Sequence, residues 1–253
     1  MQTPINIMPM RVTCTGGYCG TKPLEGAPLA WMTVALSLAT FMQVLDSTIA
    51  NVAIPTIAGD LGSSNSQGTW VITSFGVANA ISIPVTGWLA KRVGEVRLFL
   101  WSTGLFVLAS WLCGMSNSLG MLIFFRVIQG LVAGPLIPLS QSLLLNNYPP
   151  AKRSMALALW SMTIVVAPIF GPILGGYISD NYHWGWIFFI NIPIGLVVVL
   201  LAGSTLKGRE TKQRSDPLIP SGWCYWWSVL VPCKSCLIKA RSWIGLTRQK
   251  LSS

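Results

Sequence analysis

Two residues of opposite charge, Asp46 and Arg126, lie inside long apolar stretches of this sequence. An ionisable side chain in such a setting costs about 2.5–3.5 kcal/mol on insertion scales, and by default it marks a function or a buried partner. A carboxylate shielded from water favours its neutral form when alone and its charged form beside a cation. Exchange of an Arg126 contact for a proton is therefore chemistry that the pair offers. Asp46 is the only acidic side chain in any apolar stretch, so proton coupling within the membrane has one carboxylate candidate. The alternative is a structural ion pair that only holds two helices together. Gln43, Asn51, Gln129 and Gln141 are further polar groups for the same cavity. Each has the plainer alternative of clipping two helices together by a hydrogen bond.

Other chemistries find little support. No Ser/His/Asp set, metal cluster or glycine-rich phosphate loop is present, so no catalytic residue, metal or cofactor is expected and the chain does not read as an enzyme. Cys233 and Cys236 have zinc or redox spacing, but no second pair and no nearby His accompany them. Cys14, Cys19, Cys113 and Cys224 are scattered, and none reaches an oxidising loop with a partner, so no disulfide framework is expected.

The elements that position Asp46 and Arg126 follow from composition. The 253 residues are 52% hydrophobic and 9% charged, against roughly 25% charged in soluble domains. Six stretches approach the ~20 apolar residues that a spanning helix needs: Leu29–Ile49, Trp70–Ala90, Leu98–Met115, Leu119–Leu143, Met155–Ile178 and Trp186–Leu206. They are too long and continuous for barrel strands, which leaves helices as the way to satisfy the backbone in lipid. The reading is an all-α membrane protein, a bundle of six transmembrane helices over 29–206. A cytoplasmic N-terminal segment, 1–28, precedes it and a basic tail, 207–253, follows. The first segment lacks the marks of a cleaved signal peptide, so the first span is expected to act as an uncleaved anchor.

The net charge of +10 is explained by its placement, and nucleic acid is not an expected partner. Lys91, Arg92 and Arg97 follow the second span, Lys152 and Arg153 the fourth, and Lys207, Arg209, Lys212 and Arg214 the sixth. The loops after spans one, three and five carry Asp60, Asp180 and His183 but no Lys or Arg. This positive-inside pattern puts both termini in the cytoplasm, with some attraction to anionic membrane lipid. Asp46 then lies about a turn below the outer face and Arg126 about two turns, on antiparallel helices at ~1.5 Å per residue. Similar depth and opposite charge predict a shared polar cavity between spans one and four.

Motifs around these residues carry a resemblance. The run Leu45-Asp46-Ser47-Thr48-Ile49-Ala50-Asn51-Val52-Ala53-Ile54-Pro55 resembles the first-span signature of the 14-helix drug:proton antiporter branch of the major facilitator superfamily. Gly87-Trp88-Leu89-Ala90-Lys91-Arg92-Val93-Gly94 sits where that superfamily has its loop motif between spans two and three, with Lys91 where many members have Asp. Arg126-Val127-Ile128-Gln129-Gly130, with Gly134, resembles the fourth-span motif, whose arginine is linked to proton coupling in the family. Pro168 and Gly171-Pro172-Ile173-Leu174-Gly175-Gly176 are similar to the antiporter motif, with Ala167 where its first glycine is usual. Trp184 to Pro193 is similar to the start of the sixth span. The resemblance runs from about Lys22 to Lys212.

It implies the N-terminal bundle of a major facilitator fold in a bacterial inner membrane, exporting hydrophobic drugs and uncouplers in exchange for protons. It also implies a periplasmic adaptor and an outer-membrane channel as partners. Met42, Phe41, Trp88 and Trp160 are candidates for apolar surface offered to substrate. Because alternating access needs two halves, a lone half implies a dimer or pairing with another half. A six-helix interaction protein that pairs with or regulates a full-length transporter is the alternative function.

The tail departs from the family. Ser215–Ser253 carries Trp223, Trp226, Trp227, Trp243 and three of the six cysteines. Trp and Cys codons both begin with TG, and read one base earlier each becomes an NTG codon for Leu, Met or Val. The seven Trp and Cys residues from Trp223 to Trp243 would then form an apolar run. The tail thus reads as an out-of-frame translation of a further exporter segment, with an amphipathic surface tail as the alternative.

Overall fold

The computed structural model describes residues 27–206. The expected N-terminal segment, nearly all of it, and the expected tail lie outside the described residues.

Every regular element among the described residues is helical: α1 (Ala27–Val52), α2 (Ile54–Asp60), α3 (Asn65–Val93), α4 (Glu95–Gly114), α5 (Leu119–Ala133), α6 (Leu136–Asn147), α7 (Arg153–Asn181), α8 (Trp186–Phe189) and α9 (Asn191–Thr205), with one 3₁₀ turn at Pro150–Lys152 before α7. Six stretches are long and apolar enough to cross a bilayer: α1, α3, α4, α5 with α6, α7 with its 3₁₀ turn, and α8 with α9. The expected spans and the observed ones coincide in number and order.

The differences lie at helix ends and have local causes. The second span begins at Asn65 because Ser64 caps it, its side chain accepting from the Gln67 N–H while the Gln67 side chain returns to the Ser64 N–H. The third begins at Glu95 because Gly94 makes the whole turn from α3 to α4 at φ +100°, a region open to glycine. Lys91 and Arg92 occupy the last turn of α3 and Glu95 the first turn of α4, each sign favoured by its helix end. The fourth span is broken between α5 and α6 at Gly134 and Pro135. Pro135 has no N–H to give the Leu131 carbonyl, and Ser82 Oγ of α3 donates to that carbonyl instead.

Small residues set how closely the helices pack, as they do where lipid supplies no hydrophobic drive between helices. A Cβ on Gly130 would sit 2.5 Å from the Phe75 carbonyl oxygen, and one on Gly134 2.6 Å from Ser82 Cβ, so α5 lies almost on the backbone of α3. Gly171 and Gly175 of α7 face Thr48 and Ile49 of α1 in the same way. α1 is well enclosed, with Met32, Leu36, Ala39, Met42 and Ile49 fully buried. α3 and α7 turn large apolar residues outward, among them Ile81, Val165, Phe170 and Ile173.

Candidate functional site

An enclosed ion pair joins α1 to α5. Asp46 lies two turns before the end of α1 and Arg126 two turns after the start of α5, each about 10 Å in from its helix end. Neither has any exposed surface. Arg126 Nη1 donates to Asp46 Oδ2 at 2.5 Å and to Gln129 Oε1 at 2.8 Å. Gln129 Nε2 donates to Asp46 Oδ1 at 3.3 Å and to Ser110 Oγ of α4 at 2.8 Å. Asn191, at the start of α9, donates from Nδ2 to Asp46 Oδ1 at 2.7 Å and reaches Ser110 Oγ at 3.5 Å. The Cys113 thiol donates to Gln129 Oε1 at 3.7 Å. Side chains of four helices, α1, α4, α5 and α9, thus join one network around the carboxylate.

The wall around this network is apolar and aromatic. Leu45, Ile49, Leu122, Trp184, Ile187 and Phe188 are buried there. The guanidinium carbon of Arg126 lies 4.9 Å from the ring centroids of both Phe75 and Phe188. Such stacking is worth ~2 kcal/mol when desolvated. It holds the cation from two sides while the carboxylate holds it from a third. Arg126 Nε, Asn191 Oδ1 and Gln43 Oε1 are buried without a hydrogen-bond partner.

The other residues singled out in the sequence fall in several places. Gln129 belongs to the network, and Gln43 is buried one turn along α1 from Asp46. Asn51 and Gln141 are exposed and do not join the network. Asn51 folds back on its own helix, Nδ2 to the Ser47 carbonyl at 2.9 Å. Gln141 sits beyond the break in the fourth span, about 18 Å along the chain axis from Gln129 at 1.5 Å per residue. Met42 and Trp160 are core residues, the Trp160 indole N–H donating to Thr40 Oγ1 at 3.1 Å, which corrects their reading as substrate-facing surface. In the loop motif, Gly94 makes the turn, Lys91 and Arg92 are exposed, Arg92 stacks 5.2 Å from the Trp88 ring, and Gly87 has open space around it. In the α7 motif Pro168 and Pro172 lie within the helix, Gly171 and Gly175 face α1, and Gly176 has open space beside it.

Sequence reasoning missed Asn191, Ser110 and the two stacking phenylalanines. It also missed Glu95, whose Oε2 accepts from Ser142 Oγ at 3.1 Å and Asn146 Nδ2 at 3.0 Å. One signal for Asn191 was present: it opens the sixth span at the end of the bundle where the first span carries Asp46. No group of three or more His, Cys, Asp or Glu side chains gathers for a metal among the described residues.

Comparison with known proteins agrees with this architecture. The family profile described as Major Facilitator Superfamily matches residues 36–248. That match takes in part of the tail that composition sets apart. Over 191 residues the chain is 84% identical to the multidrug export protein EmrB of Escherichia coli (strain K12), covering 76% of this chain and 37% of that protein. It is 66% identical over 195 residues to the fatty acid resistance protein FarB of Neisseria gonorrhoeae, covering 77% and 38%. The chain therefore spans under two fifths of the length of these relatives. Among solved structures, a peptide transporter POT in complex with sulfate superposes with a TM-score of 0.67 at 17% identity, over 87% of this chain and 48% of that one. That likeness speaks for the fold.

Proposed function

This chain belongs to the Major Facilitator Superfamily, and from that premise we propose that it is a six-helix half of a proton-coupled exporter of hydrophobic drugs. It is a multi-pass inner-membrane protein. The Lys and Arg residues of the α3–α4 and α6–α7 turns, against the Asp60, Asp180 and His183 loops, support cytoplasmic termini. Asp46 then takes its proton from the outer side.

The observation that carries the reading is the enclosed Asp46–Arg126 pair, 2.5 Å apart and ringed by neutral donors. A structural clip would be served as well by two apolar side chains. A carboxylate with a single cation and two amides around it can take up a proton without leaving the site. The relatives' names support drugs and fatty acids as the class of cargo. Alternating access requires a second half across the faces of α3 and α7. The periplasmic adaptor and outer-membrane channel belong to the same proposal.

The test is export in liposomes, with this half reconstituted beside a complementing second half. Asp46→Asn should abolish export driven by a pH gradient while membrane insertion is unchanged. Undiminished export would return the pair to a structural role. Arg126→Lys keeps the charge but loses the planar fork, and coupling should weaken if the guanidinium geometry matters.

A further inference from the structure

Asn191 has no exposed surface and touches Asp46 with one end only. Its Nδ2 donates to Asp46 Oδ1 at 2.7 Å, while its Oδ1 is buried without a partner. Gln129, the other amide on the carboxylate, is committed at both ends: Oε1 accepts from Arg126 and Cys113, and Nε2 donates to Ser110 and Asp46. Rotating Gln129 would break all of these. Rotating the Asn191 amide by half a turn breaks nothing at Oδ1.

The difference matters when Asp46 changes protonation. Ionised, it only accepts hydrogen bonds; protonated, it also carries an O–H that must donate. Arg126 Nη1 holds Oδ2 at 2.5 Å, so Oδ1 is the oxygen left for the proton. Nothing now facing Oδ1 can accept, because Gln129 and Asn191 both present N–H groups there. A half-turn of Asn191 puts its oxygen in the place of its nitrogen, beside the new O–H and within reach of the Ser110 hydroxyl.

We infer that Asn191 is a positioning residue that follows the charge of Asp46, donating to the carboxylate and, after amide rotation, accepting from the carboxylic acid. The inference rests on the proton-coupling reading and names the part that reports each state. A hydronium ion of outer water gives its proton to Oδ1 and leaves as water; apart from that transfer, only hydrogen bonds are exchanged. The other titratable groups facing Asp46 among the described residues are Arg126 on α5 and the Cys113 thiol on α4. α9 brings Asn191, α8 brings Phe188 against Arg126, α3 brings Phe75, and α7 brings Gly171 and Gly175 to Thr48 and Ile49.

The experiment is infrared difference spectroscopy of the purified full chain in lipid nanodiscs, titrated with acid, with isotope-labelled asparagine. The Asp46 carboxyl band is assigned by its loss in Asp46→Asn, and the Asn191 amide band by its loss in Asn191→Leu or, should that variant not fold, Asn191→Ser. The amide band should change in step with the carboxyl band. Either Asn191 variant should shift the frequency of the protonated Asp46 carboxyl band, since the acid O–H loses its amide acceptor. An amide band that stays fixed while the Asp46 carboxyl band rises overturns the inference, and so does a carboxyl band whose frequency is unchanged in both Asn191 variants. Absence of any Asp46 carboxyl band fails differently: it removes proton coupling itself.

Discussion

Asp46 and Glu95 are both carboxylates shut away from solvent, at opposite ends of the bundle, and they are held by different means. Asp46 sits within the span with a guanidinium at 2.5 Å and two amides beside it. Glu95 sits in the first turn of α4, 8% exposed, with a hydroxyl and an amide of α6 on one oxygen. At the helix start the backbone N–H groups favour a negative charge by about 0.3–1 kcal/mol, and water is near. Deep in the span neither help exists, so a full opposite charge is recruited. A group held by its counter-charge can be switched by changing either charge. A group held by neutral donors at a helix end is a fastener, and Glu95 fastens α4 to α6.

The sharpest break of this contrast is Arg126→Ala, which strands a buried carboxylate and should cost about 3–5 kcal/mol in detergent unfolding. Adding Asp46→Asn to that variant should recover part of the loss, because no buried charge then remains. Asn146→Leu removes one donor from Glu95 and should cost about 1.5–3 kcal/mol by the same measurement. Gly130→Ala probes the seam that brings Phe75 against Arg126. Its new methyl meets the Phe75 carbonyl, so about 1–3 kcal/mol should be lost, while Gly176→Ala, with open space beside it, should change stability by under about 0.5 kcal/mol. Glu95→Gln keeps an acceptor for Ser142 and Asn146 and should lose only about 1 kcal/mol or less. A loss as large as that of Arg126→Ala would make Glu95 a second charge-dependent site.

Spans are legible in a sequence because an apolar run of about twenty residues finds shelter from water most readily across a bilayer, and all six lie where the runs place them. The Asp46–Arg126 pairing was legible because two lone charges at one depth on antiparallel spans have little else to meet. Depth gives no azimuth, however. Asn51 is close to Asp46 in height and faces outward, whereas Ser110 and Asn191 face inward and carry no mark that separates them from the neutral polar residues in every span. Glu95 is hidden for a different reason. The apolar run starts at Leu98, and only the Gly94 turn, a property of the backbone, moves the helix start back to include it. Phe75 and Phe188 look like any lipid-facing ring until the cation between them is placed.

The break between α5 and α6 also has a mechanical side. Pro135 leaves the Leu131 carbonyl loose, and the hydroxyl that takes it up belongs to α3. The break is therefore pinned from outside, like a joint whose bolt passes through the neighbouring beam. Flexing the span there tugs α3 at Ser82, just along the same helix from Phe75 and its stack on Arg126. Any rocking of this half that flexes the fourth span is thereby geared to the helix that steadies the charged centre.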